Sequence, residues 1–208
     1  TERERDVSLN AVVSDVESDF VAPEPQAPDR VAALVSRLKR KYRGCITAEA
    51  VTPAQSGRYE PVPDHIDSRL RSALQSRGIR ELYSHQAESW RVLHEGAHCV
   101  IATPTASGKT LCFNGPVLNA VLQHEAKALY LFPTKALAQD QVAELMELNR
   151  AAELGVRAYT FDGDTPSDAR QAVRTKGDIV VTNPDMLHQA ILPHHTKWAQ
   201  LFENLRYI

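Results

Sequence analysis

The chain has 208 residues, 43% of them apolar, and its 24 Lys and Arg against 26 Asp and Glu leave a formal net charge of −2. That length suits one sizeable α/β domain with an appendage and is too short for a large multidomain machine, while the near-neutral balance excludes a uniformly basic nucleic-acid coat. No apolar run approaches the roughly 18 residues of a membrane helix, and the charged start from Thr1 to Asp6 is not a signal peptide, so no membrane contact and a cytoplasmic protein are expected.

Residues 1–30 are acid-rich and contain the proline-spaced run Val21 to Pro28, which reads as an extended, partly disordered tail. Residues 31–80 read as a helical N-terminal extension. Val31, Leu34, Val35 and Leu38 fall at i, i+3, i+4, i+7, with Arg37, Lys39, Arg40, Lys41 and Arg43 around the other face, which predicts a basic amphipathic helix. Loop signals run from Gly44 through Pro63, and Ile66 to Ser76 has helical apolar spacing closed by Gly78.

Over residues 81–208 strand-like and helix-like segments alternate. His98 to Thr103, Ala128 to Phe132, Val156 to Phe161 and Asp178 to Thr182 are short apolar runs, each followed by a polar turn and a helical pattern. Such repeated βαβ units predict an α/β fold, a parallel sheet with helices on both faces and its strand-to-helix loops at one edge, where ligands bind.

The first of those loops runs from Thr103 to Thr110. Its end, Gly108-Lys109-Thr110, fits a phosphate-binding loop, although Thr103 stands where the general pattern has glycine. The small residues Ala106, Ser107 and Gly108 let backbone N–H groups approach phosphate oxygens at the positive end of the following helix. Lys109 is placed to neutralise the β and γ phosphates of ATP and Thr110 to reach Mg²⁺.

The segments Leu82 to Gln86, Ala102 to Thr110, Tyr130 to Gln141, Phe161 to Pro166 and Thr182 to His188 together resemble superfamily 2 DEAD/DEAH-type helicases, most of all the mitomycin-repair-factor and RecQ4-like branch. The resemblance covers about residues 50 to 208. It implies a RecA-like first helicase domain that binds ATP and Mg²⁺, with Gln86 reading adenine and Thr103, Thr105, Ala106, Ser107, Gly108, Lys109 and Thr110 around the phosphates. It also implies that single-stranded or partly duplex DNA lies along Pro133, Thr134, Lys135, Gly163, Thr182 and Pro184. Local chemistry supports a backbone track: Thr134 and Asn183 are plausible N-caps, Thr165 with Asp168 suggests a capping box, and Gly163 permits close approach. Asp164 and Asp185 would repel phosphate and are expected to act as capping groups.

His194 and His195 lack partners at ligand spacing and read as surface residues. Cys99 and Cys112 read as structural thiols, the first within a buried strand, and Trp90 and Trp198 as core residues. In the family an Asp-Glu pair follows a further strand, and Leu205 to Ile208 reads as the beginning of it. The chain is therefore expected to be an N-terminal part that ends before this motif and does not hydrolyse ATP by itself. A metabolic phosphate-loop kinase and a non-catalytic nucleic-acid-binding or assembly module remain the alternatives.

Overall fold

The structure, a computed structural model, describes residues 30–51, 53, 56–151 and 153–208. The tail expected over residues 1–30 lies outside the described residues, Arg30 excepted. Two units are distinguished, Thr1–Arg58 and Tyr59–Ile208. In the first, the spacing of Val31, Leu34, Val35 and Leu38 produces helix α1, Arg30–Lys41. Its last turn carries Lys39, Arg40 and Lys41, cations that suit the partly negative end of a helix, and Lys39 pairs with Glu49.

The second unit opens with strand β1, Tyr59–Pro61, paired antiparallel with β2, Glu81–Tyr83. The sequence predicted loop at β1, because all three of its residues are exposed and show no alternation; only the partner strand makes it extended. Between them lies α2, Ser68–Ser76, where Asp67 accepts a hydrogen bond from the Arg69 N–H at 2.9 Å and Gly78, at φ +77°, follows the last turn. Leu70, Ala73 and Leu74 of α2 are buried in the same core as the main sheet, so residues 59–80, assigned by sequence to an extension, pack within this unit.

The chain continues through α3 (Ser84–His94), α4 (Lys109–His124), β3 (Lys127–Leu131), α5 (Lys135–Ala151), β4 (Ala158–Thr160), α6 (Ser167–Lys176) and β5 (Ile179–Thr182). A short α7 (Pro184–Met186) runs into irregular helical turns up to Trp198, then α8 (Ala199–Glu203) and β6 (Leu205–Tyr207). The four strands β3 to β6 form a parallel sheet in the order β4-β5-β3-β6. Pleating sends Ala128, Tyr130, Ile179 and Val181 into a core with Leu74, Trp90, Leu118 and Leu145 of α2 to α5. Leu129 and Val180 point the other way, into a second core with Phe161, Val173, Trp198 and Leu201. Helices therefore cover both faces, which is why these strands are continuous apolar runs. Among the described residues no helix is long and apolar enough to cross a membrane.

One predicted strand does not form. Residues 97–104 are irregular, with Val100 exposed and Cys99 only half-buried. A strand needs a ladder partner, and this segment takes none, although the outer edge of β6, at one end of the sheet, is left without one. The segment faces β6 instead across a cavity of about 540 Å³ lined by His98, Cys99, Leu205 and Tyr207.

At the edge of the sheet where the strands begin, Asp178 joins three of them. Its carboxylate accepts from Lys127 Nζ at 2.7 Å, from the Arg157 guanidinium at 2.9 and 3.0 Å, and from the Arg157 N–H at 2.9 Å. Burial alone would raise its pKa, but the bonds from Arg157 and Lys127 outweigh it and hold the carboxyl below the usual range. Such a group stabilises the fold fully above its unfolded value of about 4 and loses that contribution as pH falls through the lower folded value. Asp178→Asn is expected to cost roughly 1.5–3 kcal/mol at neutral pH. The gap from the wild type should narrow below about pH 4, as parallel thermal melts would show.

Candidate functional site

The phosphate loop folds as its small residues require. Ala106 at φ +61° and Gly108 at φ +74° are left-handed, and alternation of this kind makes a concavity of backbone N–H groups suited to an anion. Lys109 opens α4, and its Nζ donates to the Thr103 carbonyl at 2.8 Å, the Pro104 carbonyl at 2.6 Å and Ser107 Oγ at 3.4 Å. All three acceptors are neutral, so among the described residues no carboxylate cancels its charge. Thr103 earns its place where glycine was expected, because its hydroxyl meets Ser107 Oγ at 2.6 Å across the loop. A polyphosphate fits this donor set: a cation, free N–H groups at a helix start, and the Thr110 hydroxyl one residue further on.

The loop is braced from α3. Gln86 Nε2 donates to the Gly108 carbonyl at 2.9 Å, while its Oε1 accepts from the Tyr83 N–H at 2.9 Å. The side chain is buried, so in this structure its amide holds the loop, whereas the resemblance assigned it to an adenine edge. A side chain on Gly108 would sit 2.7 Å from that Nε2, which, with the positive φ, explains glycine there. The His85 ring reaches the Ser107 carbonyl at 2.9 Å, and Trp90 Nε1 donates to the Leu111 carbonyl at 2.9 Å. A ring column, Tyr59 on Tyr83 at 4.8 Å and Tyr83 on His85 at 5.7 Å, ends beside this loop. Sequence reading singled out neither His85 nor the two tyrosines, since the contacts of His85 with Ser107 and of Tyr83 with Tyr59 join segments far apart in the chain and leave no local signal.

The second group of predicted residues lies where β3, β4 and β5 end, and lateral bonds tie these ends together. Phe132 N–H donates to the Thr182 carbonyl at 3.0 Å and Phe161 N–H to the Val181 carbonyl at 2.8 Å. Pro133, Thr134 and Lys135 follow β3, Gly163 follows β4, and Thr182 and Pro184 bracket the end of β5. Thr134 Oγ1 accepts from the Leu137 N–H at 3.3 Å and Asn183 Oδ1 from the Met186 N–H at 2.8 Å, the two N-caps foreseen. Nothing stands over Gly163 within reach of a Cβ, so its backbone is open to close approach.

Four expectations at this rim are corrected. Thr182 is buried and its hydroxyl donates to the Phe161 carbonyl at 2.6 Å, so it ties two strand ends and presents no side chain outward. Thr165 caps no helix: α6 starts after Pro166, and the Thr165 hydroxyl instead accepts from the Asp162 N–H at 2.9 Å, inside the turn. Asp164 is no cap either. It is exposed and pairs with Lys135 at 2.5 Å, a contact that holds the lysine pKa above its usual value; at the next loop the cap is Asn183, not Asp185.

Trp90 and Trp198 are buried, and so is Cys112, whose thiol burial pushes up. His194 and His195 are exposed, and the described residues contain no cluster arranged to hold a metal.

Comparison with known proteins agrees with this geometry. A family model described as DEAD/DEAH box helicase matches residues 83–208. The chain is 51% identical over 176 residues to the uncharacterized ATP-dependent helicase YprA of Bacillus subtilis, covering 84% of the chain and 23% of that protein. With the ATP-dependent helicase hrq1 of Schizosaccharomyces pombe it shares 40% over 171 residues, 79% of the chain and 16% of the relative. The crystal structure of the DUF1998 helicase MrfA bound to DNA and AMPPNP matches at a TM-score of 0.75 and 49% identity, over 84% of the chain and 24% of MrfA. The chain thus spans about a quarter or less of the length of these relatives. Solved DEAD-box proteins at 19–21% identity share its RecA-like fold.

Proposed function

Because the chain belongs to the DEAD/DEAH box helicase family, we propose that it forms the ATP- and DNA-binding part of a helicase that couples ATP hydrolysis to movement along single-stranded DNA and to unwinding, in DNA repair. The observation that carries this reading is the common placement of two kinds of loop. An uncompensated lysine opens α4 in a loop of left-handed residues. Three further loops leave the ends of adjacent parallel strands with N–H groups, an open glycine and one lysine. MrfA, crystallised with DNA and AMPPNP, lends the reading its ligands.

Bound Mg-ATP would supply the phosphoryl group and its leaving group. Lys109 would exchange the Thr103 and Pro104 carbonyls for phosphate oxygens, and loop N–H groups would take the rest of the charge. Thr110 would hold the metal through its hydroxyl. Gln86 and His85 keep the loop in shape from α3. Pro133, Thr134, Lys135, Gly163 and Pro184 would hold the sugar-phosphate backbone and discriminate little between bases.

The test is phosphate release by the whole protein with Mg-ATP, measured with and without mixed-sequence single-stranded DNA. Turnover should rise several-fold with DNA. Equal turnover in both, or phosphoryl transfer to a small metabolite, would replace this reading with a metabolic kinase.

A further inference from the structure

Lys135 and Asp164 belong to different loops, β3 to α5 and β4 to α6, yet Lys135 Nζ lies 2.5 Å from Asp164 Oδ2, with the side chains 50% and 82% exposed. The carboxylate is put there by its own loop. The Asp164 N–H donates to Asp162 Oδ1 at 2.9 Å, closing a turn. Arg170 then clamps the backbone around it. Its Nε donates to the Thr165 carbonyl at 2.9 Å, its terminal nitrogen to the Asp162 and Gly163 carbonyls at 3.3 Å each, and its guanidinium lies 5.2 Å from the Phe161 ring centre. The acidic groups felt by Lys135 are Asp164 and, further off, Asp162.

A carboxylate and a phosphate are interchangeable acceptors for an ammonium. An exposed pair of this kind is weak and screened by salt, so a phosphate oxygen can take the place of the carboxylate. We propose that Asp164 sets the affinity of the DNA rim: its carboxylate holds the phosphate position of Lys135, and a phosphate of the incoming single strand must displace it. Binding at this point exchanges one anion for another and does not neutralise a free cation. The inference rests on the reading of this rim as the DNA track.

The experiment is anisotropy titration of a fluorescent mixed-sequence single-stranded DNA with the whole protein, without nucleotide, across a salt series. Asp164→Asn should bind roughly three- to tenfold tighter at low salt, with a logarithmic salt slope steeper by up to about 0.7 unit. Lys135→Ala should bind more weakly than the wild type, because it leaves Asp164 unpaired beside the strand. The double variant should recover part of that loss. Were Asp164 only a brace for the rim, Asp164→Asn would weaken binding, and that result overturns the proposal. If Lys135→Ala weakens binding and Asp164→Asn leaves affinity and slope unchanged, the proposal fails while the rim reading stands. If neither variant alters binding, the rim reading fails with it. Melting temperature is expected to be unchanged in all three, since both side chains are exposed.

Discussion

Lys109→Ala is expected to lower ATP hydrolysis by the whole protein by roughly 10²–10³-fold or more, the scale of removing a donor that stabilises charge in the transition state. The partners of Lys109 in the loop are all neutral oxygens, those of Thr103, Pro104 and Ser107. Its ammonium is therefore available to the transferring phosphate without first breaking an ion pair. The loop itself should survive, because Gln86 to the Gly108 carbonyl, His85 to the Ser107 carbonyl and Thr103 to Ser107 hold it independently of Lys109. Single-strand affinity should stay within about a factor of two, since the rim stands on the loops after β3, β4 and β5, linked to one another and not to Lys109. Steady-state phosphate release and DNA anisotropy on the same preparation check both halves. Unimpaired turnover would mean that the loop from Thr103 to Thr110 does not hold the reacting phosphates.

Trp198→Ala is expected to destabilise the fold by about 3–5 kcal/mol, the usual cost of emptying a buried aromatic site. Trp198 is fully buried beneath the second face of the sheet, edge-on to Phe161 at 4.8 Å and 87°, with the Arg174 guanidinium 5.7 Å from its ring centre. Its indole N–H has no hydrogen-bond partner among the described residues, so deleting it also relieves a desolvated donor. The loss should then fall toward the lower end, and Trp198→Phe should cost much less than alanine. Phe161 carries the loop of Gly163 and Asp164, so Trp198→Ala should also loosen the rim and weaken single-strand binding. Nucleotide binding should be spared in the folded fraction, because the phosphate loop is braced by α3 in the opposite layer. Denaturant titration, followed by binding of a fluorescent ATP analogue and of DNA under folding conditions, separates the three effects. An unchanged midpoint would show that this aromatic pair does not hold the second face together.

Much of the architecture was legible because local pattern reports local burial. The apolar runs at 128–132, 156–161 and 178–182 became β3, β4 and β5, since strands covered on both faces have little polar side to interrupt them, and the run at 205–208 became β6 although Arg206 and Ile208 are exposed. The phosphate loop was readable from Gly108, Lys109 and Thr110, and the caps from Thr134 and Asn183, because these devices act within a few residues of themselves. The loop prediction over Gly44 to Pro63 concealed β1, whose three exposed residues carry no alternation at all.

What only the tertiary structure decided are the relations between segments far apart in the chain. The run at His98 to Thr103 has the composition of a buried strand and is not one here, because it stands across a cavity from the open edge of β6 and joins no ladder. Thr182 was placed on the DNA track, but its hydroxyl turns to the Phe161 carbonyl, a group 21 residues earlier that pairing of β4 with β5 brings alongside. Asp164 was read as a local cap, but the fold presents Lys135, 29 residues earlier, to its carboxylate. By itself the sequence determined the four parallel strands, the loop of Gly108, Lys109 and Thr110 ahead of α4 and the caps at Thr134 and Asn183, all of them consequences of side-chain chemistry within one or two turns. Which hydroxyl faces inward, which carboxylate meets which lysine and which strand receives a partner depend on register and crossover, and these are settled only when the strands stack side by side.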